Sequence, residues 1–496
     1  MRNTLRTIRT LFFLSPWITG IAVANPNGGS IVAGAVDPLP AGGPLMNIGI
    51  RSDRAIIDWQ SFSINQGELT RFNFDSANAA VLNRVTVMDP SNLSVIAGRL
   101  ESNGRVILLN PNGILVTPTG VIDTRSFLGS TLTLDPASFM RGDSFSFTLE
   151  GSADGSIVNR GVVLAREKEG LPGGDVIMVA RAVRNEGELS APDGLVGLAA
   201  GSRVTLYDTG EQRLVVETEI DGALVENGPE AVIRATTAEL KAAGGNIAAL
   251  AINNEGVIRA NTIVEDGGRI FLRASGGTAV NAGSLDASGK SGGHVEVTGD
   301  QVLLAAGSSV NADGGSAGGT VLVGGDYRGL NASVPNALRT VVAPDATISA
   351  RATGRGNGGR VIVWADEVNR FYGTIDVRGG DLGGNGGFVE TSGRDHLEAF
   401  GLVHAGAAHG SGGTWLLDPR NVTIDNLANA GGAFNGGTPN VFTPTADSAV
   451  ASRNAIQTSL NAGTSVEVNT GSTGAQDGDI TVAASITKSA GGNASL

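Results

Sequence analysis

The sequence predicts an all-β solenoid: a parallel β-helix with an N-terminal cap and extra-helical hairpins. Three observations carry this prediction. First, glycine supplies 74 of 496 residues, far above ordinary usage. Second, it recurs as Gly-Gly before a short β-branched run. The starts are Gly244-Gly245-Asn246-Ile247, Gly267-Gly268-Arg269-Ile270, Gly292-Gly293-His294-Val295, Gly318-Gly319-Thr320-Val321, Gly358-Gly359-Arg360-Val361, Gly386-Gly387-Phe388-Val389 and Gly412-Gly413-Thr414-Trp415. The intervals between second glycines are 23, 25, 26, 40, 28 and 26 residues, the 40 holding an insertion at 327–340. A period in the twenties marks a solenoid. Third, residues inside each unit alternate as strands do, for example Val295 and Val297 within His294 to Thr298. Leucine-rich repeats need a leucine and asparagine pattern that is missing, a propeller blade needs about 40 residues, and collagen needs a strict three-residue period. With the first 24 residues removed, the chain at this period would make about eighteen coils. At ~4.8 Å per coil the rod would be on the order of 80–90 Å long.

Taken in order, the chain opens with a processing signal. Arg2, Arg6 and Arg9 form a basic region, Leu11 to Val23 an apolar one, and Ala22-Val23-Ala24 a small-residue cleavage site before Asn25. The apolar run is too short to span a bilayer and is broken by Pro16 and Gly20, and no other stretch has the ~20 apolar residues a transmembrane helix needs. The mature chain is expected outside the cytoplasm, without a transmembrane segment. It has no cysteine, which suits a chain that threads a pore unfolded and equally suits a long chain with enough core. A net charge of -13 disfavours nucleic acid and anionic membranes as partners.

Residues 27–50, with Pro38, Pro40 and Pro44, read as the cap that an open β-helix end requires. The turn Asn110-Pro111-Asn112-Gly113 lies between the apolar runs Val106-Ile107-Leu108-Leu109 and Ile114-Leu115-Val116. Proline presets φ at the second turn position, and Gly113 tolerates a positive φ. Around the turn stand Ala55-Ile56-Ile57-Asp58-Trp59-Gln60-Ser61-Phe62, Val81-Leu82-Asn83-Arg84-Val85-Thr86, Asp89-Pro90-Ser91, Ile96-Ala97-Gly98-Arg99-Leu100 and Asn103-Gly104.

In this order and spacing the set, from about Gly28 to Thr133, resembles the secretion domain of two-partner-secretion exoproteins, the filamentous haemagglutinin family. The resemblance implies a right-handed β-helix and export through a TpsB-type outer-membrane barrel with periplasmic POTRA domains. Many members carry a second Asn-Pro-Asn turn inside the domain. Here the other copy is Asn25-Pro26-Asn27-Gly28, at the start of the mature chain. The expected transporter-recognition residues are Asn110, Pro111, Asn112, Gly113 and Ile114, with Asn83 and Arg84, and the expected cleavage lies between Ala24 and Asn25. The organisation expected is a signal peptide at 1–24, a secretion domain at 25–135, a β-helix repeat region at 136–420, and at 421–496 the start of a further region of a longer exoprotein.

Beyond the turn, Thr131 to Leu149 breaks the glycine period and reads as a hairpin or extra-helical strand. Gly386 to Gly393, Trp415-Leu416-Leu417-Asp418-Pro419 and Asn421-Val422-Thr423-Ile424 resemble the end of the N-terminal region of high-molecular-weight adhesins of the same family. Ala449 to Leu460 carries helical signals. The expected function is a secreted, non-enzymatic surface adhesin without cofactor, meeting a host or bacterial surface receptor, carbohydrate among the options. The alternatives are a haemolysin or contact-dependent toxin stem, and a β-helical polysaccharide lyase or hydrolase. A lyase would draw on Asp376 with Arg378, or Asp366 with Glu367, although acidic residues at coil turns are ordinarily just solvated. His294, His396, His404 and His409 lack zinc-site spacing. Arg141-Gly142-Asp143 is an integrin-type tripeptide that arises easily by chance in a glycine-rich chain.

Overall fold

The computed structural model describes residues 25–142, 144–149, 155–208, 212–218, 222–243, 250–260, 267–417, 422–426, 449–468, 480–491 and 493–496. Residues 1–24, where the sequence leads one to expect a signal peptide ending at Ala24, lie outside them. Among them, 38 strands form one hydrogen-bonded sheet wound into a parallel β-helix.

Each coil contributes to three ladders. Ladder A climbs from Arg54–Trp59 through Ala80–Val85, Arg105–Leu109, Ser126–Ser130 and Val176–Ala180 to Ser465–Val468, every step parallel. Ladder B begins at Ser94–Ile96 and Ile114–Val116 and runs to His396–Ala399 and beyond. Ladder C runs from Leu45–Ile50 to Leu402–His404. Stacked inward side chains of all three, such as Ile57, Val81, Ile114, Ile122 and Ile157, make one core along the rod. Each coil is buried chiefly by its neighbours, so stability is close to a sum of nearest-neighbour terms.

The register bears out the glycine period. Arg269 faces His294, which faces Thr320, then Arg360, Phe388 and Thr414, each the residue after a Gly-Gly pair. These glycines form the corner from ladder C into ladder A. A Cβ on Gly319 would collide with the Gly293 carbonyl oxygen, and one on Gly359 with that of Gly319. A Cβ on the first glycine of a pair would strike the ladder-C exit, as Gly318 would strike the Ala350 carbonyl. In the coils whose corner is a Gly-Gly pair, stacking at strand spacing leaves no room for a side chain there. The 40-residue coil still closes, because its insertion stays outside the ladder and Val334 packs on Leu322, Ile362 and Trp364.

Three expectations need correction. Gly244 to Ile247 falls outside the described residues; the ladder-A strand beneath Arg269 starts at Thr237, ahead of that copy and not after it. The continuous strand Val232–Ala243 turns this corner with Ala235 and Thr236 instead. Second, among the described residues ladder A has fourteen strands, fewer than the eighteen coils expected, a stack roughly 60 Å long at ~4.8 Å per strand. The appendage at 131–149 and 203–206 and the insertion after Val323 use residues that the count had assigned to the stack. Third, Ala449 to Leu460 is not all helix. Ala449–Ser452 is a strand paired with Val422–Asp425, and the helix is Arg453–Asn461. Sheet hydrogen bonding overrides local alanine propensity there.

The cap forms over the first part of the expected stretch 27–50, while Leu45–Ile50 is already the first rung of ladder C. Ser30–Ala33 lies antiparallel on Arg54–Trp59, and bridges at Asn27–Ser61 and Val36–Ile50 extend it. Thr131 to Leu149 does leave the helix. It supplies Thr133–Leu134, a short helix Pro136–Arg141 capped by Asp135, and Phe145–Thr148. Arg203–Leu206 and Leu214–Thr218 complete an antiparallel four-stranded sheet. Phe139, Phe147, Val204 and Leu214 of this appendage cover the outer face of ladder A at Ile56, Leu82, Ile107, Leu128 and Ile177. Strands covered on both faces have no polar side to alternate with, which accounts for the unbroken run Val106 to Leu109.

Candidate functional site

Strand Arg105–Leu109 ends where the proline of Asn110-Pro111-Asn112-Gly113 stops the ladder, and Ile114–Val116 resumes in ladder B. The Gly113 N–H donates to the Asn110 carbonyl at 3.0 Å, closing a tight turn, and Gly113 has φ +123°. Asn110 itself is 0 % exposed. Its Nδ2 donates to the Asn92 carbonyl and the Ser94 hydroxyl, both at 2.9 Å, and its Oδ1 accepts from the Asn112 N–H at 3.0 Å. Asn112 Nδ2 donates to the Val87 carbonyl at 2.8 Å. The two asparagines thus pin the loop of residues 86–93 against the turn. That loop is also tied to the preceding coil, where Asn92 Nδ2 reaches the Gln60 carbonyl at 2.7 Å. Gly155 of the next coil packs on the Pro111 carbonyl.

Asn83 and Arg84 lie elsewhere in ladder A, with their side chains on opposite faces. Asn83 points inward, fully buried, accepting from Trp59 Nε1 at 2.9 Å and donating to the Ile107 carbonyl at 3.2 Å. Arg84 points outward and forms a bidentate pair with Asp58 at 2.7 and 2.9 Å, directly across the strand pair. Both groups are about a quarter exposed, so the pair is worth on the order of 1 kcal/mol or less. The seven expected residues therefore do not converge on one surface patch. Asn110, Gly113, Ile114 and Asn83 are buried, Pro111 and Asn112 are half-buried, and Arg84 is spent on Asp58. The exposed surface beside the turn is Thr86 to Ser91, where Met88 is 63 % and Val87 42 % exposed. These two were not expected. Their signal was two apolar residues just before Asp89-Pro90, where a strand should be ending.

Asn25 is placed firmly: it is 1 % exposed and its backbone N–H donates to Glu68 Oε2 at 3.0 Å. The groups a lyase would use are neutralised in pairs. Burial pushes the Asp376 carboxyl up, but hydrogen bonds from Arg378 outweigh it and hold it below the usual range, an anion and no proton donor. Asp366 accepts from Trp364 Nε1 at 3.0 Å and pairs with Arg394, while Glu367 pairs with Arg339. His294 packs on Phe271 and His396 lies 3.2 Å from Glu398. Among the described residues no three His, Cys, Asp or Glu side chains gather as a metal site would require, and no helix is long and apolar enough to cross a membrane. Arg141 ends the short helix and Gly142 caps it, while Asp143 lies outside the described residues.

Comparison with known proteins places this geometry. Residues 24–297 match the TPS secretion domain family. The heme/hemopexin-binding protein of Haemophilus influenzae strain Rd is 32 % identical over 228 residues, 45 % of this chain and 24 % of that protein. A second Haemophilus influenzae heme/hemopexin-binding protein is 38 % identical over 103 residues, 21 % of this chain and 11 % of its own length. The chain thus spans a quarter or less of these relatives. The crystal structure of the HMW1 secretion domain from Haemophilus influenzae aligns with a TM-score of 0.59 at 29 % identity, covering 79 % of this chain and all of that one.

Proposed function

From the premise that this chain belongs to the TPS secretion domain family, we propose that it is the N-terminal part of an exoprotein exported by a Gram-negative two-partner system. The partner is a TpsB-type outer-membrane barrel with POTRA domains, and the exported protein is a non-enzymatic adhesin that meets its receptor through the β-helical rod. The region 25–135 carries the transporter's address, with the Asn110 turn at its centre. One observation supports this reading above the others. The Asn110 side chain is buried and its amide is fully bonded in the folded rod, so a transporter can meet it only in an unfolded chain. An unfolded chain is also the only form narrow enough for a barrel pore. In that state the strands offer free edges for β-augmentation by a POTRA sheet. Outside the cell, each coil folds on the last, and folding draws the chain outward without ATP.

The test expresses the chain with and without a cognate barrel and scores its arrival in the medium; export without the barrel overturns the route. The address is tested with Asn110→Ala plus Asn112→Ala, scored for export and separately for the β-sheet circular dichroism of refolded protein. The folded state predicts a loss of about 2–4 kcal/mol, because the Asn92 carbonyl and Ser94 hydroxyl lose their donor. Export that falls far more than the fold does supports an address. Export that falls only in step with the fold makes the turn structural. Met88→Ser, which touches no core contact, should leave both unchanged. If it alone blocks export, the address is the exposed loop.

A further inference from the structure

Asn25 occupies a site shaped for a chain terminus. It is buried to 1 %. Its side chain is fully used: Nδ2 donates to the Gly43 carbonyl, and Oδ1 accepts from the buried Thr70 hydroxyl at 2.7 Å. Its backbone nitrogen faces Glu68 Oε2 at 3.0 Å, and the same oxygen accepts from the Asn65 N–H at 2.8 Å. Asn25 also holds φ at +60°, the left-handed region that a residue inside a chain enters at a cost. A residue that begins a chain has no preceding carbonyl, so this cost disappears.

We propose that Glu68 is a docking site for the α-ammonium group released when the leader is cut at Ala24–Asn25, and that this pair latches the N-terminal cap. The inference rests on the processing expected from the sequence. Hydrolysis by a leader peptidase adds water across the Ala24–Asn25 C–N bond. The carboxylate leaves on Ala24, and the new amine on Asn25 takes up a proton at neutral pH. Before the cut, the nitrogen offers Glu68 one neutral N–H. Afterwards it offers a positive charge and three donors, and the hydrogen bond becomes charge-assisted, roughly twice as strong. Asn27 bridges to Ser61 and the strand Ser30–Ala33 lies on Arg54–Trp59, so a latch at Asn25 closes the outermost layer of the rod. The cap of a chain that keeps its leader is therefore looser than that of a processed chain. This favours the unfolded state while the leader is attached and the closed cap after it is lost.

The experiment uses the full chain exported with its barrel, and N-terminal sequencing first establishes the mature end. An inserted Ser between Ala24 and Asn25 produces a processed chain one residue longer, and E68Q is made in both backgrounds. The readout is amide hydrogen exchange across Ser30–Ala33. At pH 7 the extended chain should exchange about tenfold faster than the authentic one, a difference that E68Q abolishes. An α-amine in an unfolded chain titrates at about 7.7–8.0. The charge that strengthens the latch is present at pH 7 and gone well above that value, so the gap should close toward pH 10. Equal exchange in the two chains overturns the latch, as does a gap that survives E68Q. A mature end other than Asn25 overturns it too. None of these results touches the export reading, which stands or falls on arrival in the medium.

Discussion

Gly359→Ala should destabilise the coils around it by about 3–5 kcal/mol, a large value for one methyl group. The added Cβ would point into the Gly319 carbonyl and lie close to that of Ala350. Both are backbone groups of stacked coils, so neither can swing aside as a side chain would. The neighbouring coils would have to move apart, and the ladder contacts between Thr320–Val323 and Arg360–Ala365 would be lost. Because coils hold only their neighbours, the damage should be local. Limited proteolysis is expected to open sites near residues 318–360 while leaving residues 45–130 protected. Cleavage distributed evenly along the rod would contradict nearest-neighbour stability. Gly307→Ala is the matched control. Gly307 has φ +77° but open space around the missing Cβ, so the substitution should cost only the backbone term, on the order of 1 kcal/mol.

The second large effect is expected inside the rod. Five buried asparagines stack in ladder B. Asn159 Nδ2 donates to Asn185 Oδ1, Asn185 to Asn227 and Asn227 to Asn254, each at 2.8 Å, and Asn254 donates to Asn281 at 2.7 Å. All five are 0 % exposed. Asn227→Ala deletes one rung, leaving Asn185 Nδ2 without its acceptor and Asn254 Oδ1 without its donor in a site closed to water. The expected cost is about 2–4 kcal/mol, mostly from the two stranded partners and not from the lost hydrogen bonds themselves. Urea unfolding followed by hydrogen exchange at 182–185 and 250–254 measures it. Asn253→Ala, beside the next rung Asn254, removes only a half-buried contact to Glu255 and should stay within about 0.5 kcal/mol. If the two variants are equally mild, the ladder contributes no more than ordinary packing.

These two sites differ in how well the sequence announced them. The glycine pairs were legible because the constraint is local and repeats: from Gly267 onward the corner packs against the backbone of the coil below and leaves no room for a Cβ, so Gly293, Gly319, Gly359 and Gly387 stand at a countable interval. The asparagine ladder had a period too, but asparagine is also a frequent turn residue, and nothing local distinguishes one that faces inward onto the coil below. Likewise, Asn110 read correctly as a turn residue, since proline and glycine beside it leave few backbone options. Its burial beneath the loop 86–93 depends on Asn92 and Ser94 arriving from the neighbouring coil.

The amino-acid sequence by itself determined the parallel β-helix, the cap, the departure from the helix at Thr131 to Leu149, and the family resemblance carried by Ile56 to Val116. All of these follow from spacing along the chain: strand alternation, a repeated corner, and motifs in order. Only the tertiary structure decided the rest. It brought the strands Arg203–Leu206 and Leu214–Thr218 onto Thr133–Leu134 and Phe145–Thr148 and made the outer face of ladder A a second core. It paired Arg84 with Asp58, buried Asn83 and Asn110, left Val87 and Met88 exposed, and set the Asn25 nitrogen against Glu68. The physical reason is common to all of them. In a solenoid, neighbours in space are one coil apart, about 25 residues along the chain, and a side chain's partner is chosen by register between coils, a quantity that no local window of sequence contains.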